Sequence, residues 1–284
     1  MAPCTRGSVF RNMASATLLA LVASHATTAR AETRVDKKAF VTPGELGGIV
    51  AAIVAEFDTV DVVCLGEDHG NENDSILRIA VVEHPDFARK VDVVIVECAA
   101  VTRQELLDRF ILDGEAMTRD QLRPVWADAH GAEVWENPIY EAFLRAVQKV
   151  NLALPKDERV RVLAGDDPRD SNRGRFIREA VAREILDQHL KGLAIYGAGH
   201  CECRGMGFPG ELVDYRGRIW SVFSFYNVDE GRKVFALGDE PVLIRIAGSE
   251  RARLPAVKMF FSSRGYNDPA TLGDITDAIV YYGR

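Results

Sequence analysis

From position 60 onward, short unbroken apolar runs alternate with longer stretches in which apolar residues recur every three or four positions. The runs are "VDVVCL" (60–65), "VDVVIVECA" (91–99), "VRVLAGDD" (160–167) and "GLAIYGAGH" (192–200). Each has the length and continuity of a strand buried on both faces. The stretches between them predict helices over "SILRIAVVEH" (75–84), "RQELLDRFILDG" (103–114), "RDQLRPVW" (119–126), "PIYEAFLRAVQKVNLAL" (138–154) and "GRFIREAVAREILDQHL" (174–190). Asn73 or Asp74, Thr102, and Asn137 with Pro138 supply start signals, while Pro85 and Gly114 supply stops.

Strands alternating with helices pair in parallel through right-handed crossovers. The expected architecture is a single α/β domain over residues 32–284, with a mostly parallel central sheet covered by helices on both faces. A helical insertion, residues 102–151, separates the second and third strands and can cap one edge. Beyond Gly205 the pattern loosens. "RIWSVFSFYN" (218–227), "PVLIRIA" (241–247) and "DAIVYYG" (277–283) read as further strands, some of them antiparallel additions.

An open parallel sheet binds ligands outside the carboxyl ends of its strands. Here those ends are Glu67, Asp68 and His69 on the first strand, Glu97 and Cys98 on the second, Asp166 and Asp167 on the third, and His200 on the fourth. The chain has only six histidines, and two sit in matching Gly-x-x-His spacings, "GEDH" (66–69) and "GAGH" (197–200). Solvated strand ends account well for Asp68, Asp166 and Asp167. They account poorly for Glu97, which "VVIV" carries straight into an apolar environment, so a partner is expected for it. Glu67, His69, Glu97 and His200 are the candidate site.

The first residues change the picture of where this chemistry operates. Arg6 and Arg11 precede an apolar run, "ASATLLALVAS" (14–24), and Ala29-Arg30-Ala31 offers a cleavage site. Residues 1–31 are expected to be a signal peptide, directing the protein to the periplasm or outside the cell, with no membrane anchor after cleavage. Removing Arg6, Arg11 and Arg30 takes the formal charge from −7 to −10. So acidic a chain has no footprint for nucleic acid. With 47% hydrophobic and 27% charged residues the composition is that of an ordinary globular protein. Four cysteines follow the leader. Cys64 reads as a small core residue, and Cys98 as a buried thiol. Cys201 and Cys203 ("CEC") are left open between metal ligand, disulfide partner and no role.

"LGEDH", "VIVECA", "NPIYEAFLRAVQKVN", "VRVLAGDDPRD" and "IYGAGH" together resemble the superfamily that joins erythromycin-esterase-like enzymes, Tiki (TraB-type) proteins and ChaN-like haem-binding proteins. The likeness covers about residues 55–205. It implies that Glu67, His69, Glu97 and His200 form an active or metal site. It also implies three chemistries: metal-dependent peptidase, metal-free His/Glu esterase, or haem binding.

Two mechanisms suit these residues directly. His69, oriented by Glu67 or Glu97, can act as general base on water attacking an ester, lactone or amide of a small molecule or peptide. Alternatively His69, His200, Glu67 and Glu97 hold Zn²⁺ or Mn²⁺ and acidify a bound water. No G-x-S-x-G elbow occurs, which argues against a serine hydrolase. Arg169 and Arg173 are candidates for binding an anionic group. The competing expectation is a periplasmic haem or metal carrier of the ChaN-like type, with Trp126, Trp135 and Tyr140 available to flank a macrocycle.

Overall fold

The computed structural model describes residues 40–203, 207–225, 227–256 and 270–283; the expected signal peptide, 1–31, lies outside them. Among the described residues the strands are β1 (Val62–Glu67), β2 (Val93–Ala100), β3 (Arg161–Asp166), β4 (Gly192–Gly197), β5 (Ile219–Ser224), β6 (Val242–Arg245) and β7 (Ala278–Tyr281). They form one sheet in the order β3-β2-β4-β1-β5-β7-β6. All neighbours pair in parallel except β6, which lies antiparallel on β7 at the edge. The four apolar runs are therefore the contiguous strands β3, β2, β4 and β1, and their carboxyl ends share one edge of the sheet.

Strand side chains alternate between faces, and this alternation divides the core in two. On one face, Val63 and Leu65 of β1, Val94 and Val96 of β2, and Leu193 and Ile195 of β4 pack under the helices Gly47–Glu56, Glu72–Val82 and Pro138–Leu152. On the other, Val62, Cys64, Val93, Ile95, Ala194 and Tyr196 pack against the helix Arg173–Val181 and residues of the C-terminal part. Because each interior strand is buried on both sides, its sequence is a continuous apolar run rather than an alternating one.

The expected insertion is present between β2 and β3 as a run of short helices followed by Pro138–Leu152. Details differ from expectation at the helix ends. Asn71, not Asn73 or Asp74, caps Glu72–Val82, its side chain accepting from the backbone N–H of Asn73 and Asp74. This frees Asp74 to face inward. Thr102 falls in a single 3-10 turn, Val101–Arg103, and the helix after it ends at Ile111 rather than running to Gly114. Asn137 and Pro138 open their helix as anticipated. The helix Gly47–Glu56 carries no capping signal at its start, and Leu46 makes no side-chain cap.

One cysteine reading is overturned. Cys64 is not merely a small core residue: it is bonded to Cys201, 137 positions away, with Cα atoms 5.8 Å apart. The bridge ties the middle of β1 to the segment that leaves β4 just after His200. Cys98 and Cys203 are free.

Candidate functional site

The same alternation sends the two glutamates in opposite directions. Glu67 continues the Val63–Leu65 side of β1, toward the helices Glu72–Val82 and Pro138–Leu152. There Arg78, itself buried, forms an ion pair with Glu67 Oε2, and the Tyr140 hydroxyl donates to Oε1 at 3.1 Å. The Arg78 guanidinium also lies 4.6 Å from the Tyr140 ring centroid. Burial raises the Tyr140 phenol well above its ordinary range, so it remains a donor. Glu67 is thus a buried carboxylate held by a cation and a hydroxyl. His69 folds back two residues later and places Nδ1 2.9 Å from Glu67 Oε1.

Glu97 is on the Val93–Ile95 side of β2. It lies within the strand rather than at its tip, at a break in register between Val96 and Ala100. Oε2 accepts the Gly197 backbone N–H at 2.6 Å and lies 3.8 Å from His69 Nε2; Oε1 accepts from Arg173 Nη2 at 2.5 Å and lies 3.5 Å from His200 Nε2. His69 and His200, 131 positions apart in sequence, therefore flank the two oxygens of one buried carboxylate. Burial by itself would raise the Glu97 pKa, but the hydrogen bond and charge of His200, the Gly197 N–H and the charge of His69 outweigh it and bring it down to about 2. Glu97 is therefore an anion at neutral pH. Burial also opposes the proton on His69, yet the hydrogen bond it donates to Glu67 and the charges of Glu97, Glu67 and Asp68 raise its pKa above 6.5.

Gly197, at the end of the interior strand β4, makes room for this arrangement. Its backbone sits at φ −52°, ψ 141°, open to any residue, but a Cβ there would lie 2.9 Å from His69 Nε2. The glycine is required by the imidazole beside it rather than by the turn.

Asp166 is not a solvated strand end. It is 2% exposed and accepts from Arg173 Nε at 3.1 Å, from the His130 backbone N–H at 2.8 Å and, at 3.0 Å, meets His130 Nδ1. Asp167 pairs with Arg169 near the surface, so of the two arginines considered for anion binding only Arg173 enters the cluster. The insertion also supplies Trp135, whose indole N–H donates to the His130 carbonyl at 2.6 Å and whose ring meets His69 edge to face at 4.8 Å. Arg78 and His130 escaped the sequence reading. Each lies in the middle of a helical stretch or its connector, where only the tertiary fold reveals what it faces. A basic residue inside the otherwise apolar "ILRIAVV" was the available signal for Arg78.

Asp74 supports the first loop from behind. It accepts the Asp68 backbone N–H at 2.9 Å, the Ser224 hydroxyl at 2.9 Å and the Tyr282 hydroxyl at 2.6 Å. Its burial pushes its pKa up to about 6 against those hydrogen bonds. Cys98 is a poor nucleophile, because burial pushes its thiol up to about 12.

The proposed metal set fits less well than the acid–base set. Both oxygens of Glu67 and of Glu97 already serve arginine, tyrosine, backbone or histidine partners. Among the described residues no three His, Cys, Asp or Glu side chains converge as a metal-holding group. The aromatics considered for a haem site do not present a flat wall either: Trp126, Trp135 and Tyr140 are 1–2% exposed.

The fold and site define an α/β protein with a mostly parallel sheet and a cluster of histidines over buried carboxylates at its carboxyl edge. No family model matches the chain, and no curated protein matches it. Among solved structures, a crystal structure of a Bacillus cereus protein has the same fold, with a TM-score of 0.56 at 14% identity, covering 85% of this chain and 92% of that one. A structure titled for cofacial haem binding to ChaN of Campylobacter jejuni matches at a TM-score of 0.43 and 14% identity, over 82% of this chain and 92% of that one. A MARTX toxin effector domain, RRSP, from Vibrio vulnificus matches at 0.35 and 16% identity, over 57% of this chain and 32% of that one.

Proposed function

We propose that the protein is a hydrolase acting on an ester, lactone or amide, with His69 as general base. The observation that carries this reading is the Glu67–His69 pair. A buried carboxylate on Nδ1 holds the proton there and leaves Nε2 as the basic nitrogen of a ring that is 35% exposed. Nε2 takes a proton from water while the water oxygen attacks the acyl carbon. The imidazolium so formed is stabilised by Glu67 on one nitrogen and by the Glu97 anion, 3.8 Å from the other. His200 and Arg173, both on Glu97 Oε1, keep that anion in place. Export to the periplasm or beyond is part of the proposal; the Cys64–Cys201 bond supports it, because such bonds persist in oxidising compartments.

The test is a panel of esters, lactones and short peptides, run with and without Mn²⁺ or Zn²⁺. His69→Ala should cut turnover of a responsive substrate by ~100-fold or more, the lower end of general-base contributions. Activity that a chelator abolishes and metal restores would replace the metal-free route with a metal-dependent one. No turnover together with a saturable Soret band on haem titration would replace the hydrolase with a carrier. N-terminal sequencing of periplasmic protein should begin at Glu32; an intact Met1 on cytoplasmic protein would refute export.

A further inference from the structure

The site contains a second histidine–carboxylate pair that neither the Gly-x-x-His motifs nor the Glu97 strand foreshadow. His130 reaches it from the insertion, in the connector between the short helices Pro124–Ala127 and Ala132–Trp135, where Gly131 at φ +70° turns the chain. Its Nδ1 lies 3.0 and 3.1 Å from the two oxygens of Asp166, and its backbone N–H donates to the same carboxylate. Asp166 is 2% exposed while His130 is 34% exposed. The design repeats that of Glu67 and His69: a buried acid on Nδ1 of a half-buried ring.

Two physical links place both pairs on one site. The Arg173 guanidinium spans the two acids, with Nε on Asp166 and Nη2 on Glu97. Trp135 spans the two histidines, with its N–H on the His130 carbonyl and its ring edge on His69. Resting on the hydrolase reading, the geometry points to His130 as the general acid that protonates the leaving group, with Asp166 as its positioning residue.

Ester hydrolysis needs two proton transfers at different places. His69 Nε2 takes the proton of the attacking water as its oxygen bonds to the carbonyl carbon. The carbon–oxygen bond to the alcohol then breaks, and the departing oxygen takes a proton from His130 Nε2. Solvent returns a proton to His130 and accepts the one held by His69, so the net reaction is ester plus water giving acid plus alcohol. The leaving oxygen departs on a different side of the tetrahedral carbon from the attacking water. A second donor across the site therefore spares His69 from reorienting, and Glu67 with Trp135 holds His69 where it is.

The experiment compares two acetates that differ only in the alcohol: 4-nitrophenyl acetate, whose phenolate leaves without a proton, and benzyl acetate, whose alkoxide does not. His130→Gln should lower kcat/KM for benzyl acetate by roughly 100-fold and leave 4-nitrophenyl acetate within a few-fold of wild type. Asp166→Asn should show the same selectivity, weaker. His69→Ala should depress both esters. If His130→Gln depresses both equally, or neither, while His69→Ala abolishes both, the second pair is not the acid and the hydrolase reading stands. If His69→Ala leaves both unchanged, the hydrolase reading falls and the role of His130 with it. A melting temperature near wild type certifies each variant, and the ratio between the two esters is insensitive to the fraction folded.

Discussion

Gly197→Ala tests whether the imidazole geometry matters, because here stability and activity should part company. The added methyl would sit 2.9 Å from His69 Nε2 and 3.0 Å from Cε1. An ordinary contact needs ~3.5–4.0 Å, so the ring must retreat by about 0.5–1 Å. It can do so cheaply: the ring is the end of a side chain 35% exposed, and nothing in the backbone resists, since Gly197 already occupies a conformation open to alanine. The cost should fall below the ~1–3 kcal/mol of overpacking a closed core. Replacing glycine by alanine also narrows the unfolded ensemble, a gain of about 0.4–1 kcal/mol that offsets part of it. The melting temperature should therefore stay near wild type. Activity should not. A displacement approaching 1 Å stretches the 2.9 Å contact to Glu67 and moves the base off its line, a change that costs on the order of 100-fold. Turnover of a responsive ester alongside thermal melts is the assay. Wild-type turnover in Gly197→Ala would refute the assignment of His69 as a precisely held base; unfolding would refute the claim that the ring yields easily.

With neutral His69 as the proposed base and its pKa raised above 6.5, activity should climb with pH on a limb lying above 6.5. Glu67→Gln should move that limb to lower pH, and a pH–rate profile with an unmoved limb would contradict the pairing. The protonated ring's contribution to stability has the opposite sign: it is complete below 6.5 and disappears as pH rises through the folded value. Glu97, with its pKa lowered to about 2, stabilises the fold above about 4.5 and loses that contribution as pH falls toward 2, which acid titration of the melting temperature should show. Glu97→Gln should still fold, because an amide oxygen can accept the Gly197 N–H, but with a melting temperature lowered by the loss of the anion that Arg173 and His200 face. It should lose activity by ~100-fold or more on removal of the anion facing His69; collapse of the fold would make Glu97 structural instead. Reducing Cys64–Cys201, which closes a loop of 137 positions, should lower unfolding stability by up to about 5 kcal/mol by the chain-entropy argument. An unchanged denaturation midpoint on reduction would contradict it.

Much of this was legible in the chain itself. Four continuous apolar runs determined four strands buried on both faces, and the helical stretches between them determined parallel pairing, so Glu67, Glu97 and His200 were bound to reach one edge of the sheet. The runs did not determine strand order. That order sets β4 between β1 and β2, and so brings Gly197 and His200 between the two glutamates. Nor did periodicity say which glutamate would meet which arginine. Alternation assigns Glu67 and Glu97 to opposite faces, but Arg78, Tyr140 and Arg173 arrive on helices whose partners are chosen by long-range packing. Asp166 looked solvated in sequence because a carboxylate after an apolar run has the same local pattern whether water or an imidazole meets it. His130, whose connector has no regular period, and the bond between Cys64 and Cys201 were out of reach for the same reason: local sequence sets which face a residue takes, while only the closed tertiary structure sets what stands opposite.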